Sequence, residues 1–97
     1  MMSDEETLYE KGARNLNEVY AGDVVAMPEG TMPFIDVMTR TLFGEVWDRD
    51  VLSIRDRRVR LMGVIAAQGQ SDIWKIQAKS ALKRGELSAD ELRETLI

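Results

Sequence analysis

The sequence predicts an all-α protein of about five helices, and three observations carry that prediction. Capping residues recur at intervals that suit short helices, apolar residues recur at helical spacing, and no segment alternates apolar and polar residues over a useful strand length. Neither an internal repeat nor a low-complexity tract interrupts the pattern. With 97 residues, 44% apolar and 31% charged, the chain has the size and composition of a single small domain over residues 1–97.

The elements follow in order. Ser3 with Glu6 reads as a capping box opening a first helix that runs to about Tyr20, with Gly12 weakening its middle. Residues 22–32, containing Pro28 and Gly30, form a connector. Thr31 and Pro33 open the second helix and Asp48-Arg49-Asp50 closes it. Ser53, with Asp56 in the first turn, opens the third, which Gly69 terminates. Ser71 caps the fourth, Asp72 complements its dipole, and Lys83-Arg84-Gly85 ends it. Ser88 with Glu91 makes a second capping box, and the fifth helix is expected to continue to Ile97. Leu92, Leu96 and Ile97 then begin an apolar face with little chain left to complete it. A core of this size is marginal alone, so an oligomer is expected.

Four polar residues fall where the helical pattern expects apolar ones. At about 100° per residue, Phe34, Ile35, Met38, Leu42 and Val46 share an arc into which Glu45 projects. In the third helix Arg58 falls among Ile54, Leu61, Met62 and Ile65, with Arg57 beside Leu61 and Val64. In the fourth, Gln77 lies between Ile73 and Ala81. Burying such groups is costly unless they are paired, so a shared pocket and a structural ion pair with a hydrogen-bonded amide are both open readings.

Composition narrows the chemistry. Without cysteine there is no disulfide, thiolate nucleophile or thiolate metal site, and without histidine the usual proton carrier near neutral pH is missing. Carboxylates remain for that task. No metal or cofactor is expected. The net charge of −4 argues against a nucleic-acid platform, since Arg55, Arg57, Arg58 and Arg60 spread around a helix instead of forming a stripe. No stretch approaches the roughly 20 apolar residues of a membrane span, and the acidic start is the wrong charge for a secretory signal, so the cytoplasm is the expected location.

Beginning at Tyr9-Glu10-Lys11-Gly12, the chain resembles the carboxymuconolactone decarboxylase family, related to the alkylhydroperoxidase-type proteins. The strongest run is Phe43-Gly44-Glu45-Val46-Trp47-Asp48-Arg49, followed by Leu52, Arg57 and Gly69. It continues through Ala81-Leu82, Gly85 and Ser88-Ala89-Asp90-Glu91-Leu92-Arg93-Glu94. The resemblance implies an alkylhydroperoxidase-like helical protomer that forms trimers or hexamers, with sites near subunit interfaces. It also implies decarboxylation of a small carboxylated lactone from aromatic degradation, with Glu45 at a functional acidic position and Arg57 at a conserved arginine. Gln77 departs from the family's histidine, and the family domain ordinarily continues past the position of Ile97 into a further helical stretch.

In that chemistry Arg57 and Arg58 offer planar forks for a carboxylate, and Glu45 is the candidate acid/base. An apolar setting and a nearby arginine would pull its proton affinity in opposite directions. Gln77 orients substrate but transfers no proton under ordinary conditions. Trp47 and Trp74 read as packing rings, with Trp47 also a substrate-contact candidate. Peroxidase chemistry through a Cys-x-x-Cys pair is excluded for this chain by itself. The alternative to the enzyme is a non-catalytic relative that keeps the pocket and binds a small acid or a protein partner.

Overall fold

The structure, a computed structural model, describes residues 6–97, and every regular element among these is helical. The α-helices are α1 (Leu8–Val19), α2 (Pro33–Met38), α3 (Ile54–Ala67), α4 (Ser71–Lys83) and α5 (Ala89–Glu94), and a π-helix, Thr39–Val46, continues α2 without a break. Two units, each packed on itself, divide between Asp50 and Val51.

In the first unit α1 begins at Leu8. The Thr7 hydroxyl accepts from the Glu10 amide at 3.1 Å while the Glu10 carboxylate accepts from the Thr7 amide at 2.8 Å. This capping box lies four residues beyond the expected Ser3–Glu6 box, whose Ser3 falls outside the described residues. Gly12 has a different role from the one its helix propensity suggests. A Cβ on Gly12 would sit 1.9 Å from the carbonyl oxygen of Thr39, and one on Gly44 would sit 2.9 Å from that of Leu8. The backbones of α1 and the π-helix therefore touch, which only glycine permits.

The π-helix presents one side to the interior. Its end is marked by a five-residue bond, from the Trp47 amide to the Leu42 carbonyl at 2.9 Å, so each turn holds more residues than an α-turn. Thr39, Phe43, Gly44 and Trp47 are buried, and Phe43 lies between the rings of Tyr20 and Trp47 at centroid distances of 6.0 and 6.5 Å. Of the arc expected inside, Leu42 and Val46 are exposed, and Phe34 is 71% exposed. Where α2 begins, Met32 is the capping residue and Pro33 the first helical one. Thr31 instead donates its hydroxyl to the Pro28 carbonyl at 2.6 Å.

The second unit packs α3, α4 and α5 around Met62, Ala78, Ala81, Leu87 and Leu92, flanked by Val59 and Trp74. Ser53 caps α3 as expected, accepting from the Asp56 amide at 3.0 Å. Gly69 and Gly85, both at positive φ, stop α3 and α4 with paired returning bonds. After Gly85 the Glu86 amide donates to the Ala81 carbonyl at 3.0 Å, which brings Glu86 back beside the end of α4. Ser71 is the first helical residue of α4 and not its cap, the capping position belonging to Gln70. The Ser88–Glu91 box forms as expected, but α5 stops at Glu94 and does not run to Ile97. There the Thr95 hydroxyl turns back onto the Leu92 carbonyl at 2.6 Å and accepts from the Trp74 indole at 3.1 Å.

Candidate functional site

Arg58 is the most buried charge described in the chain, with 0% of its surface exposed. Its Nε donates to Glu86 Oε1 at 2.5 Å, its Nη1 to Gln77 Oε1 at 2.7 Å and its Nη2 to Glu86 Oε2 at 3.5 Å. Arg84 Nε donates to the same Glu86 Oε2 at 2.7 Å. The Glu86 side chain is itself only 5% exposed. One carboxylate is thus clasped by two guanidiniums, while the amide from α4 holds the remaining edge of the buried one. A charge taken this far from water is tolerated because its three nitrogens are matched by a carboxylate and an amide oxygen.

This cluster contains two of the residues singled out by pattern, Arg58 and Gln77, and one that pattern missed. Glu86 lies in the short connector between Gly85 and Ser88, where periodicity says nothing. The available signal was indirect, since an arginine on an apolar helix face asks for a buried carboxylate somewhere. Arg57 is buried on α3 as well. Arg55 is exposed and reaches α5, with Nη2 at 2.7 Å from Glu91 Oε2. The Ser88 backbone bond first, and then Arg55, hold the Glu91 carboxyl below the usual carboxylate range.

Glu45 belongs to the first unit, and its expected inward position is corrected. It is exposed, on a side of the helix that also shows Thr41, Leu42 and Val46 to solvent. The arc expected inside faces outward, since Phe34 and Val37 of α2 are exposed as well, and the side turned inward is that of Thr39, Phe43 and Trp47. The Glu45 carboxylate has no hydrogen-bond or ion-pair partner among the described residues. Trp47 is buried against Phe43 with the rings nearly parallel, at 7°.

A second residue that pattern missed organises this end of the first unit. Asn15, buried on α1, donates through Nδ2 to the Phe43 carbonyl at 2.8 Å and to Asp48 Oδ1 at 3.0 Å. That amide, followed by Lys11 and Arg14, holds the Asp48 carboxyl below its ordinary range, with Lys11 Nζ at 3.5 Å. The run from Phe43 to Asp48 therefore divides. Phe43, Gly44 and Trp47 are buried and Asp48 is bonded by Asn15, whereas Glu45 and Val46 face solvent.

Among the described residues no three or more aspartates and glutamates gather as a metal site, and no helix is long and apolar enough to cross a membrane. The chain matches no protein-family model, no curated protein and no solved structure.

Proposed function

We propose that this chain is a carboxymuconolactone decarboxylase-like subunit that acts on a small carboxylated lactone, with Glu45 as the proton carrier and Arg57 holding a substrate carboxylate. The observation that carries the reading is Glu45, a carboxylate without a partner among the described residues and set among exposed apolar residues, Leu42 and Val46, in the run that carries the family resemblance. A carboxylate with a structural partner has its proton affinity set by that partner, while a free one is available to a substrate. The exposed apolar side chains around it, with Phe34 and Val37 on α2, support assembly into trimers or hexamers that would cover them.

The test is ultraviolet monitoring of lactone consumption by the purified protein, with light scattering to give its mass. Turnover that is lost in Glu45→Gln, and a raised KM in Arg57→Lys, are the expected results. An inactive wild type with no saturable lactone binding would sink the enzyme reading.

A second reading, a non-catalytic relative that binds a small acid or a protein partner, is favoured by the Arg58 cluster. Arg58 spends its fork on Glu86 and Gln77, so neither it nor the Gln77 oxygen is left for substrate. Under this reading Gln77→His confers no activity and loosens the second unit, whereas a decarboxylase short of a proton carrier would gain turnover from the added imidazole.

A further inference from the structure

The second unit contains a cavity of about 260 Å³ that shares no lining residue with the Arg58 cluster. Its lining includes Ala66, Trp74 and Leu96, with Gln70, Ser71 and Lys75 contributing the polar atoms, and its surface is predominantly apolar. Trp74 is held in place by its indole N–H bond to Thr95 at 3.1 Å, so one wall is fixed before anything enters. Lys75 has no ion-pair partner among the described residues, in a chain where Lys11, Arg14, Arg40, Arg55, Arg58, Arg84 and Arg93 are each matched to a carboxylate.

We propose that this cavity binds a small aromatic carboxylate, whose ring fills the space against Trp74, Ala66 and Leu96 and whose carboxylate reaches Lys75. The volume lies just below the roughly 300 Å³ at which clefts for small molecules begin, which suits a single-ring ligand. An apolar wall with one unpaired cation at its edge complements an amphiphile with one negative end, and a neutral ring would leave the cation unused. Gln70 and Ser71 supply further hydrogen-bond partners for the carboxylate oxygens. Neither Glu45 nor Arg57 lines it, and the proposal does not rest on the decarboxylase reading.

Phenylacetate is a suitable probe, with phenylacetamide as its neutral counterpart. Titration calorimetry on the full chain is expected to give saturable millimolar binding of phenylacetate, and the Trp74 indole N–H resonance is expected to shift along the same isotherm. Lys75→Gln, an exposed change that leaves the fold alone, should weaken phenylacetate about fivefold. It should leave phenylacetamide unaffected. Ala66→Leu should abolish binding of both by filling the space. No saturable binding, equal affinity for the two probes in the wild type, or binding insensitive to Lys75→Gln would each overturn the proposal. Neither arm reads lactone turnover, so failure here is distinguishable from failure of the proposed activity.

Discussion

The two units hold their helices together with opposite materials. In residues 6–50 the contact is backbone on backbone, made possible by Gly12 and Gly44 and tied by the neutral amide of Asn15. In residues 51–97 small alanines bring α3 and α4 together around a buried ionic cluster of Arg58, Glu86, Arg84 and Gln77. The first arrangement has no room for added volume, whereas the second has no tolerance for a lost charge. The difference is one of failure mode, and it separates residues that resemble each other in sequence: Gly12 and Gly63 are both helical glycines, yet only Gly12 faces another chain segment.

The largest expected effect comes from the second unit. Glu86→Leu leaves Arg58 buried without its carboxylate and should cost about 3–5 kcal/mol in urea unfolding. Replacing both partners, as Arg58→Met with Glu86→Leu, should recover most of that loss, because an apolar pair of similar volume avoids desolvating either charge. If the double variant is as unstable as the single one, the cluster does more than satisfy its own charges.

Next in size is Gly12→Ala. By helix propensity alone the change would stabilise α1 by about 1 kcal/mol. The 1.9 Å approach to the Thr39 carbonyl reverses the sign, because the two backbones must separate, and a loss of about 3 kcal/mol is expected. Gly63→Ala in α3, with nothing within 4 Å of the new Cβ, should instead gain roughly 0.5–1 kcal/mol. Matching effects at the two positions would dissolve the contrast between the units.

Much of this was legible beforehand, and most of the illegible parts share a cause. Ser53 and the Ser88–Glu91 box are local, since the cap and the amide it satisfies lie three residues apart, so the sequence contains the whole interaction. Arg58 and Gln77 were visible because they break an apolar pattern, but their partner Glu86 sits in a connector where there is no pattern to break. The π-helix was invisible because it depends on a neighbour. Asn15 of α1 takes the Phe43 carbonyl, which a regular helix would offer to its own backbone. Glu45 is misplaced for a different reason: the apolar arc it joins, with Phe34, Leu42 and Val46, is itself exposed, and the inward side carries Thr39, Phe43 and Trp47.

Asn15→Ala tests this link and should cost about 1–2 kcal/mol by leaving the Phe43 carbonyl unmet. It also has a pH signature. The Asn15 amide is the first cause of the lowered Asp48 value, below an ordinary 3.8, so the stability Asp48 contributes is complete above that ordinary value. It is lost as pH falls through the depressed folded-state value. Removing the amide should therefore move the acid-unfolding midpoint upward. Glu91, lowered first by the Ser88 backbone amide and then by Arg55 in the second unit, acts in the same direction, and Arg55→Gln should produce a smaller upward shift there because the backbone bond remains. Circular dichroism across an acid titration separates the two, and an Asn15→Ala midpoint equal to that of the wild type would remove the amide from the account.

The smallest expected effect lies at the end of α1. That helix closes with the same returning bonds that Gly69 and Gly85 make in the second unit, from the Ala21 amide to Glu18 at 3.1 Å and from the Gly22 amide to Asn17 at 2.8 Å. The residue in the left-handed conformation here is Ala21, at φ 55, the one described non-glycine residue with positive φ. A Cβ in that region costs about 1–2 kcal/mol, of which glycine's greater freedom in the unfolded chain returns roughly half. Ala21→Gly is therefore expected to stabilise the first unit by about 0.5–1 kcal/mol, seen as a higher urea midpoint with an unchanged slope. The reverse change, Gly69→Ala or Gly85→Ala, should lose a similar amount in the second unit. If Ala21→Gly is neutral or destabilising, the strain is absorbed by the connector that follows, and the two units do not terminate their helices on the same terms.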